Sequence, residues 1–354
     1  MRASRRCRAR PEVAPQGGVT LRHNTFQENT LREATQREPF ILSVVRWFDS
    51  WQGIHHESAR NQPMKIDWMR VTPFLGLHAA CLLVFVVGWS PIAVGMAAFF
   101  FCARMFAVTG FYHRYFSHRS FKTSRFMQFM FGVMGNTCVQ RGPIWWASHH
   151  RYHHQVSDTD EDPHSPVRFG LMWSHMGWFM SRAHFAPRLE LVKDLVRFPE
   201  LRFLDRFDTL IPVLAGGVMW GLGSILNRFA PGLGTSGPQM FIWSLISTVV
   251  LLHSAVCINS IAHYFGRRRY PTTDNSRNSM LLSLLTFGEG WHNNHHFYQA
   301  SVRQGHHWWQ IDITWYILVV MSWMGLVWDL KPVPAHVLAT PRPQPQRASS
   351  KQAA

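Results

Sequence analysis

The sequence predicts an all-α integral membrane protein with four transmembrane helices in two hairpins. A helical cytosolic cap carrying a histidine-rich dimetal site completes the expected fold. Three observations predict it. The apolar residues gather into a few blocks of near-spanning length, although mean hydropathy is close to neutral. The segments between the blocks differ sharply in arginine content. The histidines concentrate in three short clusters, all of them within the arginine-rich segments.

Taken in order, residues 1–45 read as a basic, disordered tail. They contain no apolar h-region, so they are not a secretory signal, and Glu28, Glu33 and Glu38 weigh against a transit peptide. Residues 46–332 read as the membrane domain and 333–354 as a flexible C-terminal tail. A hydrocarbon core about 30 Å thick needs about 20 mostly apolar residues as helix. Segments 71–88 and 92–109 approach that length, with Trp89-Ser90-Pro91 as the turn between them. Proline cannot continue the first helix and suits the start of the second. A second hairpin is expected over 210–226 and 240–261, joined by the Pro/Gly-rich link around Pro231–Gly234. Thr314–Trp328 would span only roughly 22 Å. That run, Phe126–Val139 and Phe169–Met180 are therefore read as interfacial or packed in the cap.

Charge sets the orientation. The chain carries 36 basic against 20 acidic residues, a formal charge of +16, which suits nucleic acid or an anionic membrane face. Apolar spans without a nucleic-acid motif favour the membrane and exclude a nucleic-acid partner. The link at Trp89–Pro91 has no basic residue and the second link carries only Arg228, whereas the tail, His113–Arg206 and the region after Tyr264 are arginine-rich. By the positive-inside rule those segments and both termini are cytoplasmic, in the inner membrane if the source is bacterial. The five cysteines (Cys7, Cys81, Cys102, Cys138 and Cys257) form no C-x-x-C pair and read as reduced packing residues.

The clusters are His113-Arg-Tyr-Phe-Ser-His118, His150-Arg-Tyr-His153-His154 and His292-Asn-Asn-His295-His296. Neutral imidazole is the commonest protein metal ligand. In H-x-x-H-H the histidines at i, i+3 and i+4 share a helix face, so each box can converge. His113 and His118 lie about 140° apart on an ideal helix, so they serve different ions or straddle a helix end. Eight nitrogens would also overload one metal. Asn259 and His263 end the fourth span on one face, making His263 a ninth candidate ligand and Asn259 the holder of a metal-bound water. Asp162 and Glu289 are the candidate hydrogen-bond partners of ligating imidazoles. Phe287–Trp291 is a candidate turn that brings the last cluster in. Isolated His78 and His253 read as packing or helix–helix bonding residues. His149, His164, His175, His184, His306 and His307 show no repeated spacing and stay outside the set. A metal transporter would place its ligands near the membrane midplane, whereas these lie beyond the span ends, as an enzyme would have them.

From Phe74 to Leu330 the chain resembles the membrane fatty-acid desaturases, in the stearoyl-CoA desaturase and bacterial Δ9 branch. The resemblance rests on Gly110–Arg119, Gln140–Trp146 leading to His150–His154, Asp162-Pro-His164, Asn259–Gly266 and Gly288–His296. It implies a di-iron centre of two Fe ions held by His113, His118, His150, His153, His154, His263, His292, His295 and His296, with Asn259 holding a water. It implies O2-dependent insertion of a cis double bond, Δ9 in position, into a saturated acyl-CoA. An acyl-lipid substrate and, further off, a di-iron hydroxylase are the alternatives. No His-Pro-Gly-Gly haem segment occurs, so a separate electron-transfer protein of ferredoxin or cytochrome b5 type is expected. Which residues bind the substrate is not legible.

Overall fold

Ser90 and Pro91 begin the first long apolar helix: the Ser90 hydroxyl accepts from the Ala93 amide at 3.1 Å and Pro91 occupies the first turn. The same start recurs at Ser236, whose hydroxyl caps the last long helix ahead of Pro238. In each case a side-chain oxygen satisfies an amide that the helix itself cannot. The structure, a computed structural model, describes residues 40–52 and 62–342.

Eleven of its helices carry the argument: α1 (Phe40–Phe48), α2 (Thr72–Val87), α3 (Pro91–Ser117), α4 (Arg125–Asn136), α5 (Pro143–Val156), α6 (Pro199–Arg206), α7 (Leu210–Phe229), α8 (Gly237–His263), α9 (Met280–Leu285), α10 (His292–Phe297) and α11 (Ile313–Trp323). Lys122–Thr123 and Val327–Trp328 form a short antiparallel pair, with Lys122 opposite Trp328.

Among the described residues three helices are long and apolar enough to cross a membrane: α3, α7 and α8. The first expected span is shorter, and a 3₁₀ turn at Cys81–Leu83 interrupts it. Helix α8 packs against α3 on one side and α7 on the other. A Cβ on Gly223 of α7 would fall 2.4 Å from the Ser236 carbonyl, so glycine sets that close approach. The 27 residues of α8 measure about 40 Å, well beyond a hydrocarbon core of about 30 Å. Both α3 and α8 therefore run past the 92–109 and 240–261 limits expected of them. The excess carries their C-terminal residues, His113 and His263 included, into the surrounding helices.

Those helices close around the end of α3. Residues 105–117 are all buried, and Phe111 stacks on Phe131 of α4 with ring centres 3.6 Å apart. Leu195, Leu201, Leu204 and Ile144 complete this core. A cation inside it must be paired. Arg114 Nη1 meets Asp312 at 2.9 Å and the Val302 carbonyl at 2.8 Å, while Nη2 reaches Glu289 at 3.2 Å.

Of the short apolar runs, Phe126–Val139 supplies α4 and Thr314–Trp328 supplies α11, whose Thr314 hydroxyl bonds Thr109 of α3 at 2.6 Å. His78 and His253 bond each other across α2 and α8 at 3.1 Å, and His253 Nδ1 meets His175 Nε2 at 3.0 Å. Helix α1 overlaps the last residues of the tail expected over 1–45, whose remainder lies outside the described residues, as do Cys7 and residues 343–354. The four remaining cysteines are free.

Candidate metal centre

Four helices bring the nine histidines together. His113 and His118 come from the end of α3, His150, His153 and His154 from α5, His263 from the end of α8, and His292, His295 and His296 from α10. They separate into two sets. His113, His118, His150, His154 and His295 offer nitrogens all within 4.8 Å of one another, and so do His153, His263, His292 and His296.

One expectation is corrected by this arrangement, and one pair of alternatives is decided. Each H-x-x-H-H box does not converge on one point. In each, i and i+4 face one set and i+3 the other: α5 gives His150 and His154 to the first set and His153 to the second, and α10 does the reverse. His113 and His118 do not fall in different sets; they straddle a helix end, the other alternative, with residues 107–117 wound as a π-helix and His118 capping it. A π-helix bonds i to i+5, so positions five apart return to one face. The His118 amide bonds the His113 carbonyl at 3.2 Å, and the two rings lie 4.8 Å apart.

Within the first set the Nε2 atoms stand at hydrogen-bond distance in succession: His118 to His150 at 2.8 Å, His150 to His154 at 3.0 Å, His154 to His295 at 2.9 Å, His295 to His113 at 3.0 Å. In the second set His263 and His292 are 3.1 Å apart. Donors about 2.1 Å from one ion and at right angles lie about 3.0 Å apart, so these spacings fit imidazoles aimed at a shared cation.

Carboxylates fix the tautomers. His113 Nδ1 donates to Glu289, His153 Nδ1 to Asp162 at 3.1 Å, His263 Nδ1 to Asp158 at 2.9 Å, and His296 Nδ1 to Asp274 at 2.7 Å. Each leaves its Nε2 lone pair free, the arrangement that metal-bound histidines commonly show. Asp162 and Glu289, the two carboxylates singled out from the sequence, thus each meet one of the nine imidazoles. Sequence reasoning missed the other two. Asp158 stands in the acidic run after the second cluster but carries no spacing signal. Asp274 lies far along the chain from His296, and only the fold brings it there.

Burial, then neighbouring imidazoles, holds His118, His150, His154, His292 and His295 well below the usual histidine range. They stay neutral, with lone pairs available. Burial lowers His296 to about 4 against the opposing pull of Asp274. Burial would lower His153 too, but the charge and hydrogen bond of Asp162 outweigh it and raise this one. Burial pushes the Asp158, Asp162 and Asp274 carboxyls up, and their histidine partners reverse that and hold them low. His164, outside the expected set, stacks on His153 at 4.3 Å and joins it and Asp162 in a third group able to hold a cation. Asn259 lines the same cavity as His153 and His292, and its side-chain amide has no hydrogen-bond partner among the described residues.

The fatty acid desaturase family model matches residues 88–322, a stretch that contains both imidazole sets. The chain belongs to the fatty acid desaturase family. It is 34% identical over 292 residues to an acyl-CoA 5-desaturase of Anemone leveillei, covering 78% of this chain and 86% of that protein. Against the Delta-9 acyl-lipid desaturase 1 of Arabidopsis thaliana identity is 37% over 272 residues, 75% of this chain and 84% of that one. An sn-1 stearoyl-lipid 9-desaturase of Anabaena variabilis is 34% identical over 274 residues, 75% of this chain and 94% of that one. In this desaturase a cavity of about 860 Å³ joins the two histidine sets to the helices below. Its lower wall is mainly apolar, from Phe74, Met105, Val108, Leu252 and Val256. Arg46, Arg70 and Arg141 stand at another part of the wall. Burial first, then the charges of Arg141 and Arg46, lower Arg70 to about 9.

Proposed function

We propose that this protein is an O2-dependent fatty acyl desaturase that introduces a cis double bond at Δ9 of a saturated chain. The observation that carries the reading is the cavity that places His113, His150, His153 and His292 in the wall of an apolar, chain-sized space. The nine histidines would hold two Fe ions, five imidazoles at one and four at the other. Five donors exceed the tetrahedral shell usual for zinc, and imidazole also suits iron. Bound there, the di-iron centre would supply the redox chemistry that an unactivated C–H bond requires. Overall, a –CH2–CH2– unit, O2, two electrons and two protons become –CH=CH– and two waters.

The chain's own residues do the rest. Glu289, Asp158, Asp162 and Asp274 hold four imidazoles in one tautomer and orientation. Asn259, with its free amide, would hold a water beside the four-imidazole set. Phe74, Met105, Val108 and Leu252 would hold the acyl chain and exclude bulk water. Arg46, Arg70 and Arg141 would receive an anionic head group, which acyl-CoA and a phospholipid both carry. Acyl-CoA is the substrate we propose first; an acyl-lipid is the second reading, favoured by the likeness to the acyl-lipid and stearoyl-lipid desaturases of Arabidopsis and Anabaena.

The topology we propose has four crossings, with α2 as the shortest, and the histidine sets and both termini on the cytoplasmic side of a multi-pass membrane protein. Two electrons would come from a separate ferredoxin or cytochrome b5 type protein. Expression in a host lacking its own desaturase, with iron and a competent donor, should yield a new Δ9-unsaturated chain. No unsaturated product sinks the proposal, and a hydroxy-acid product moves it to a hydroxylase.

A further inference from the structure

Helix α1 is inside out for a helix packed on a protein. Ile41, Val45 and Phe48 stand at i, i+4 and i+7 and so share one face. That face, with Phe40, is turned outward: Ile41 is 74% exposed and Phe48 63%. The buried residues of α1 are its polar ones, Ser43 and Arg46. A helix covering a soluble protein does the reverse.

The starts of two apolar helices fix the level at which α1 lies. Trp47 Nε1 donates to the Met69 carbonyl at 3.2 Å, three residues before α2 begins. Just past α1, Asp49 accepts from Arg206 Nη2 at 2.6 Å and from its Nε at 2.9 Å, and the Ser50 amide donates to the Arg206 carbonyl at 2.9 Å. Arg206 ends α6, four residues before α7 begins. Exposed apolar side chains continue on both sides, Trp68 before α2 and Val213 in the first turn of α7. On its inner side, Arg46, Trp47 and Ser50 form part of the cavity wall together with Arg70 and Arg141.

We infer that α1 is an interfacial helix: the bilayer leaflet on the side of the histidine sets covers Phe40, Ile41, Val45 and Phe48, and so holds Arg46 in the cavity wall. Apolar side chains at the level where α2 and α7 enter the membrane belong in the boundary between head groups and acyl chains. An amphipathic helix buries its apolar face there by about 5–10 Å. The polar face, which in a free peptide would meet water, here meets the cap. A second copy of the chain fits the face less well. Nine residues make a face about 13 Å long, far short of the roughly 800 Å² per partner of a stable interface. Lipid on this face puts Arg46, Arg70 and Arg141 at the level of the phospholipid head groups, so an acyl substrate reaches them from the plane of the leaflet.

Substrate entry rests on the proposed desaturase activity, whereas the placement of α1 is tested without turnover. The full chain, in nanodiscs of phosphatidylcholine and phosphatidylglycerol, carries the photocrosslinker p-benzoylphenylalanine at Ile41, Val45 or Phe48, one position at a time. Irradiation should give phospholipid adducts at all three. Adducts to a second copy of the chain, or no lipid adduct, overturn the inference. In a second arm Ile41→Ser, Val45→Ser and Phe48→Ser are combined, with iron content reporting the integrity of the histidine sets. Amide exchange over residues 40–52 should quicken by about tenfold for each apolar side chain lost from lipid, while the rest of the chain keeps its protection. Unchanged exchange in this variant overturns the inference too, because side chains facing water would contribute no such protection. With substrate supplied in the same bilayer, the variant should show a KM raised severalfold at unchanged kcat; a wild-type KM removes α1 from substrate entry. If wild type desaturates nothing, the activity proposal fails, and the cross-links and exchange still decide where α1 lies.

Discussion

Replacing Asp158 by Asn should weaken one metal position and spare the other. The Asp158 side chain is 4% exposed and accepts four hydrogen bonds. Oδ1 takes the Ser165 hydroxyl at 2.7 Å. Oδ2 takes His263 Nδ1 at 2.9 Å, the Asn275 amide at 2.7 Å and Asn275 Nδ2 at 3.2 Å. An asparagine can leave its carbonyl oxygen at the Oδ2 position and turn its NH2 toward Ser165, whose hydroxyl rotates to accept. The geometry then survives and only the charge is lost. A hydrogen bond to a charged acceptor contributes about 1.5–3 kcal/mol and a neutral one about 0.5–1.5. The change therefore costs about 1–1.5 kcal/mol at His263, or about tenfold in affinity at the four-imidazole set, the lower end of what such partners usually contribute. The five-imidazole set has its carboxylate at His113, through Glu289, and should keep its metal. Anaerobic Fe(II) titration of metal-free protein would show two steps, with only the second displaced. Equal weakening of both steps in a protein of unchanged melting temperature, or none in either, would refute the assignment of Asp158 to His263 and of His263 to that set.

Glu289→Gln should do the opposite and weaken the five-imidazole step by about tenfold to a hundredfold, read in the same titration; a shift in the other step would contradict the partition. His263→Ala should abolish product formation in the desaturase-free host while the five-imidazole set still takes up iron; retained activity would return His263 to a structural role. In metal-free protein, histidines held low fold without protons that the unfolded chain binds below about pH 6.5. For His118, His150, His154, His292, His295 and His296 the sign is the same, so stability should fall as pH drops from neutral toward about 4. Asp205, raised by burial to about 6, and His153, raised by Asp162, have the opposite sign, gaining stability as pH falls, and offset part of that loss. Melting temperatures in detergent that rise on acidification would contradict this balance.

What the sequence made legible is whatever depends on one helix. The start of the second span at Pro91 follows from the chemistry of proline, and the helical form of the boxes follows from their spacing, whereas the fourth span expected from 240 misses the cap at Ser236. Asp162 met His153 and Glu289 met His113 because each pair is brought together by motifs already singled out. What stayed hidden depends on winding or on contacts between segments. Nothing in Ala107–Ser117 announces a π-helix, so the convergence of His113 and His118 could not be read from their spacing. Asp274 reaches His296 only through the turn at residues 271–276, where its carboxylate also holds the Ser276 amide at 2.9 Å. The expected turn at Phe287–Trp291 is present, with φ of +55° at Phe287 and +123° at Gly288. A Cβ on Gly288 would strike the Asp312 carboxylate and Arg114, so glycine is required there on two counts.

The split of each box explains why two centres, and not one, come from three motifs. A single helix presenting i, i+3 and i+4 cannot point all three at one ion that other helices also approach, since i+3 lies on the far side of the i/i+4 seam. When α5 and α10 face each other, each lends its i+3 histidine to the centre built on the other's i and i+4 pair. The rings of His154 and His296, one from each set, then stand only 4.5 Å apart. Neither helix can rotate without disturbing both sets. The count that remains is set by the long helices: α3 adds two imidazoles to one set, because its end is π-wound, while α8 adds one to the other. The second set is thus one donor shorter, in the same wall of the cavity that carries the unpartnered amide of Asn259.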